Sequence, residues 1–199
     1  MKRLSILMGV LTAALLTLGL GASSASATVL CKSATNPCTG GTYGKGTVIE
    51  ATLKSSSSYP FGAMNCTEGS MKGEVTNPGG EGTDVVGTFS SVSFSGCGES
   101  STLTVLKPGT FKIKSPSGGN GTLVWEGFEM TIKPSGIHCI YSGFGETTTL
   151  SLKGGETASL VASNAVLPRT GGSFVCGSRA EWTAEYTVTA PKPLYVAEK

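Results

Sequence analysis

One histidine, His138, and one aspartate, Asp84, are all that the 199 residues supply of either type. A histidine-rich zinc site cannot be built from that stock, and a Ser-His-Asp triad has a single pair of residues to draw on. No G-x-S-x-G elbow is present to present a serine. No D-x-[DN]-x-[DN]-G loop offers calcium ligands, and the glycine runs lack Walker or dinucleotide spacing. Charged residues are only 14% of the chain and aromatics 7%. Beyond the N-terminus no apolar run reaches transmembrane length, and helical periodicity is nearly absent.

The N-terminus is the exception. MKR leads into LSILMGVLTAALLTLGL and then GASSASA. A basic start, an apolar run and an Ala-x-Ala site predict a secretory signal peptide over 1–27. Cleavage is expected after Ala27, with Ala25 the second choice. Cys31 follows, but Leu30 precedes it where a lipidated cysteine needs a small residue, so lipidation is not expected. Removal of the leader takes Lys2 and Arg3 and leaves 13 basic and 13 acidic residues. A neutral chain argues against a nucleic-acid binder and against a polybasic membrane binder. No membrane span is expected after cleavage.

About 172 residues then remain, rich in Gly, Ser and Thr. Their alternation has period 2. In EWTAEYTV, Trp182, Ala184, Tyr186 and Val188 share one face and Glu181, Thr183, Glu185 and Thr187 the other. STLTVLKPGTFKIKS predicts a hairpin turning at Pro108-Gly109. TTTLSLKGGETASLVAS predicts another at Gly154-Gly155. Leu123 and Trp125 lie on one parity and Phe128, Met130 and Ile132 on the other, so Gly127 marks a bulge or sharp bend. Further strands are expected in TVIEATLK, GEVT and GTFSSVSFSG. The C-terminal TAPKPLYVAEK reads as a last edge strand or a loose tail. About ten short strands predict an all-β antiparallel sandwich of Ig-like or Greek-key type. One domain over 28–199 is expected. The alternative is two related subdomains, about 28–115 and 116–199, from the echo between SFSGCG and SFVCG.

All six cysteines, Cys31, Cys38, Cys66, Cys97, Cys139 and Cys176, follow the leader. An even count in an exported chain predicts a disulfide framework. Six cysteines allow 15 connectivities, and sequential pairing is the expected one. That makes Cys139 a half-cystine rather than a nucleophile based by its neighbour His138. Adjacent strand residues diverge in any case. Two carboxylates, Glu126 and Glu129, flank Trp125 and Phe128 and form the one pattern suited to glycoside hydrolysis. The plainer reading is a pair of solvated strand carboxylates. LPRTG, residues 167–171, matches the sortase pattern, but no apolar helix and basic tail follow it. It reads as a loop between strands. Asn65 and Asn120 begin N-x-T triplets, which matter only in a eukaryotic secretory route.

ATVLCKSATNPCTGGTYGKGT, SFSGCG, SFVCGSRAEWTAEYTV and the PLYV tail together resemble a group of small secreted, disulfide-containing β proteins of soil actinobacteria. The resemblance covers most of the chain after the leader. It implies export and a stapled β fold, and it carries over no catalytic or binding residue. The expectation is a secreted, non-enzymatic module with a binding or structural role at or near the cell surface. No cofactor and no metal are expected, and an extracellular or cell-surface ligand is the expected partner. The alternatives are an extracellular polysaccharide hydrolase using Glu126 and Glu129, and a self-assembling coat protein.

Overall fold

The computed structural model describes residues 27–59, 64–98, 100–143 and 148–199. The expected leader therefore lies outside the described residues, except for Ala27. Fourteen strands are described. They are β1 (Thr28–Cys31), β2 (Val48–Tyr59), β3 (Met64–Cys66), β4 (Glu68–Asn77), β5 (Val85–Ser95), β6 (Ser101–Lys107) and β7 (Thr110–Ser117). Then follow β8 (Asn120–Glu126), β9 (Glu129–Pro134), β10 (Cys139–Ser142), β11 (Thr148–Lys153), β12 (Ser159–Gly172), β13 (Arg179–Ala190) and β14 (Tyr195–Glu198).

Eight of them, β2, β4, β5, β7, β8, β11, β12 and β13, pair antiparallel in chain order, and β13 returns to pair with β2. The result is a closed up-and-down barrel. This corrects the expected sandwich, while the all-β antiparallel class holds. Alternation reports which face of a strand is buried, and sandwich and barrel both bury one face. The two differ in whether the outermost strands meet, as Tyr186 and Leu53 do here. Closure removes the free edges that an open sheet must protect.

The wall is not one simple ring. β5 pairs with β7 only over Val85–Thr88, and β12 pairs with β11 only over Ser159–Val161. Toward its far end β12 pairs instead with β10, which continues through β9 to β6. β6 lies next to β5. Thus β7-β8-β11 complete the wall at one end and β10-β9-β6 extend it at the other. This overturns the expected β6–β7 hairpin, because β6 pairs with β9 and β7 with β5 and β8. Pro108-Gly109 is a corner that sends the chain from one sheet to the other. Gly109 has φ +77°, and a Cβ there would collide with the Glu126 carbonyl. Gly127, at φ +64°, is the second corner and the sharp bend expected from the parity switch. The Gly154-Gly155 hairpin forms as expected between β11 and β12.

Inward residues fill the lumen. Trp125, Trp182, Tyr186 and Phe128 have no exposed surface, and Phe111, Ile113 and Leu150 are almost as deep. Trp125 centres the cluster, 4.3 Å from Phe128, 5.7 Å from Trp182 and 5.8 Å from Phe89 between ring centroids. Its indole N–H donates to the Pro108 carbonyl at 2.7 Å. A register shift in β5 lets Phe89 and Val92 both face inward, since Gly73 pairs with Phe89 and Lys72 with Ser91. Residues 28–115 and 116–199 contribute to this one cluster and pair across their boundary through β7 and β8.

β1 and β14 form a separate two-stranded sheet. Bridges from Val29 to Gly79, Val196 to Gly119 and Leu194 to Gly155 seat it over the turns at one end of the barrel. The C-terminal segment is thus an ordered strand. The bond Cys31–Cys38 lies at this capped end. The other two disulfides, Cys66–Cys97 and Cys139–Cys176, lie at the opposite end, so the pairing is sequential as expected.

Candidate functional site

The turn from β12 to β13, Ser173–Ser178, is held from four directions and closed on itself. Cys139–Cys176 ties it to β10. Ser173 N–H donates to the His138 carbonyl at 2.7 Å, joining it to the β9–β10 turn. The Arg169 guanidinium donates through Nη1 to the carbonyls of Ser173 (2.9 Å) and Cys176 (2.8 Å). Tyr141, buried beneath, directs its hydroxyl at the Gly177 carbonyl at 3.5 Å. Burial raises the Tyr141 phenol above its ordinary value, with Arg169 opposing, so the ring stays a neutral donor at physiological pH. Cys176 N–H closes the turn on Ser173 O at 3.1 Å.

At the apex of this braced turn stand two apolar side chains. Phe174 is 92% exposed and Val175 51%, and Ile137 on the adjoining β9–β10 turn is 38% exposed. Scattered exposed apolar residues are ordinary, but these share two tips that are hydrogen-bonded and disulfide-linked. Beside them the outer face of β6, β9 and β10 forms an open groove of about 270 Å³ lined by Thr104, Leu106, Thr131, Lys133, His138 and Ile140.

His138 lies exposed on that face, with Nε2 3.4 Å from Thr131 Oγ1, while Cys139 next to it is buried in its disulfide. Asp84 immediately precedes β5, at the capped end, whereas His138 binds Ser173 at the other, so these two residues are not brought together. Glu126 and Glu129 sit on different strands and pair with different lysines, Glu126 with Lys112 at 3.2 Å and Glu129 with Lys107 at 3.4 Å. The aromatics between them, Trp125 and Phe128, face the core and offer no platform to a sugar. LPRTG is part of strand β12 rather than a loop. Leu167 is buried opposite Ala180, Pro168 opposes Arg179, and Arg169 opposes Tyr141. Asn120 uses its side-chain oxygen to accept from Gly154 N–H. Among the described residues no group of three or more His, Cys, Asp or Glu is placed to hold a metal ion, and no helix is long and apolar enough to cross a membrane.

Phe174 and Val175 were the residues that sequence reasoning passed over. Their signal is an apolar pair set in an otherwise polar turn, GGSFVCGS. The echo with SFSGCG drew attention to the cysteines instead, and the two phenylalanines differ in setting. Phe94 packs edge-on against Trp182 at 6.3 Å, while Phe174 stands in solvent. The chain matches no protein-family model, no curated protein and no solved structure.

Proposed function

We propose that this chain is a secreted, non-enzymatic binding module that acts at or near the cell surface through the stapled end of its barrel. The observation that carries the reading is Phe174, nearly fully exposed on a turn fixed by a disulfide, a guanidinium and a buried tyrosine. A rigid exposed aromatic is a binding anchor in advance of its partner, because little conformational freedom is lost on docking. The filled lumen supports recognition from outside rather than within. Three disulfides support an oxidising, extracellular setting. The burial of Trp125 and Phe128 removes support from the hydrolase reading.

The test is sedimentation of the purified protein with isolated cell envelopes and with insoluble polysaccharides. Co-sedimentation that is lost in Phe174→Ser, with no new reducing ends, is the expected result. Release of reducing ends that stops in Glu126→Gln would establish the hydrolase instead. Equal sedimentation of Phe174→Ser and the parent would remove this end of the barrel from the function.

A further inference from the structure

We infer that the surface met by this end is the headgroup region of an anionic lipid membrane; the inference rests on the binding role proposed above. Three observations converge. The first is shape. Phe174 and Val175 occupy the centre of a closed turn, so their backbone is folded and convex. A convex tip suits insertion into a soft interface. It cannot lie as an added strand along a sheet edge or as an extended segment in a cleft.

The second is the state of the backbone. Peptide groups lowered into an apolar boundary need partners already in place. The carbonyls flanking the apex have them. The carbonyls of Ser173 and Cys176 accept from Arg169, that of Gly177 from Tyr141 and that of His138 from Ser173. The bracing therefore does more than fix the turn. It lowers the desolvation cost of the carbonyls at the base of the turn when the turn is pressed into an interface.

The third is charge. Residues 131–142 and 167–180, which form both tips and the strand ends next to them, carry Lys133, Arg169 and Arg179 and no carboxylate, and Glu129 and Glu181 follow further along β9 and β13. Lys133 and Arg179 are exposed. Lys133 and His138 line the groove beside the tip together with the hydroxyls of Thr104 and Thr131. A chain of nearly balanced charge thus places two exposed cations, Lys133 and Arg179, just behind its exposed apolar side chains. That order, apolar in front and cationic behind, matches acyl chains beneath a layer of phosphates. Leu106 and Ile140 extend the apolar contact along the same face.

The experiment uses protein purified from the medium of expressing cells and vesicles of phosphatidylcholine with or without one quarter phosphatidylglycerol. Phe174→Trp places a reporter at the tip. Trp125 and Trp182 are already buried, so any vesicle-dependent blue shift comes from position 174. The expected result is a blue shift and co-sedimentation with the anionic vesicles, weaker with phosphatidylcholine alone. Phe174→Ser should weaken binding by about tenfold or more, and Lys133→Ser/Arg179→Ser should weaken it in a salt-dependent way. Because residue 174 is exposed, its variants keep the fold, which a thermal melt verifies. No shift and no sedimentation with anionic vesicles overturns the lipid assignment. A shift seen only with delipidated envelopes overturns it too but keeps the docking end. A shift with neither overturns both. A Phe174-dependent dimer in sedimentation velocity, with no vesicle binding, replaces the lipid with a second copy.

Discussion

Removing the Cys139–Cys176 bond should cost more than removing Cys31–Cys38, and the difference can be worked from the fold. The bonds span sequence separations of 37 and 7 residues. Restoring that loop freedom to the unfolded chain corresponds to about 4 kcal/mol for the long loop and about 2.5 kcal/mol for the short one. Burial adds little to the gap, because Cys31 is buried as fully as Cys139 and only Cys38 is less buried than Cys176. Cys139 is fully buried and Cys176 nearly so, and the double alanine variant leaves the space of two sulfurs beneath the tip. With a urea dependence of about 2 kcal/mol per molar, Cys139→Ala/Cys176→Ala should lower the unfolding midpoint by about 2 M, and Cys31→Ala/Cys38→Ala by about 1 M. Cys66→Ala/Cys97→Ala, at a separation of 31, should resemble the former. Urea titration followed by tryptophan emission reports this, since both tryptophans sit in the lumen. Non-reducing peptide mapping of the parent first verifies the pairing. A midpoint that falls as far for the Cys31/Cys38 variant as for the Cys139/Cys176 variant would refute the reasoning.

Four more outcomes follow from the packing. A Cβ on Gly87 would collide with the Phe111 ring, which is itself buried, so Gly87→Ala should lower stability by about 1–3 kcal/mol in the same titration. Tyr186 carries a buried hydroxyl with no partner among the described residues, so Tyr186→Phe should be close to neutral or stabilising at pH 7; a loss above about 2 kcal/mol would count against that burial. Burial also drives the Tyr186 phenol far above its ordinary value of 10.0. The unfolded chain therefore sheds this proton near pH 10 while the folded chain keeps it, and stability should fall as pH rises beyond that point. The fall in melting temperature should be shallower in Tyr186→Phe, though not abolished, because Tyr43, Tyr141 and Tyr195 are raised as well. At the N-terminus, cutting after Ala27 would place an ammonium on buried Thr28 and delete the carbonyl that accepts from Lys199 N–H. If the expected leader is cut, intact mass of protein collected from the medium should therefore show a chain starting at Ser26, the second-choice site, rather than at Thr28.

How much of this was legible in the sequence varies by element. β13 was plain, because Trp182, Ala184, Tyr186 and Val188 alternate without interruption and all are buried. The disulfide pairing was plain as well, once the expected export made a framework the default. Closure was not, because an alternating strand records its buried face and not its neighbour. The Pro108-Gly109 corner misled for a related reason. A Pro-Gly pair specifies a local change of direction, and only the distant partners, β9 for one arm and β5 and β8 for the other, decide whether the arms pair with each other. The kink at Asn164 was hidden too. That residue takes φ +49°, and its side-chain oxygen accepts from the Thr183 hydroxyl 19 positions away. Phe174 illustrates the limit most directly, since nothing in SFVCG says which of its apolar residues will find a place inside.

The split wall explains why an exposed aromatic is possible on a barrel that has filled its own lumen. One ring can enclose only so many large side chains, and Trp125, Trp182, Phe111, Phe89 and Tyr186 already occupy the interior, as close-packed cores require. Extending β12 beyond the span that pairs with β11 carries the β12–β13 turn past that packed region. There β10 and β9 support it from the side, and Tyr141 and the disulfide support it from beneath. The strand that gives the barrel its wall therefore also serves as the stalk for its tip. Of its bracing residues, Tyr141, Cys139 and Cys176 belong to the buried core cluster, whereas the Arg169 side chain lies outside it. Substitution of Arg169 should on this logic leave the barrel folded while freeing the Ser173 and Cys176 carbonyls, which separates the fold from the presentation of Phe174 in a way that no lumen substitution can.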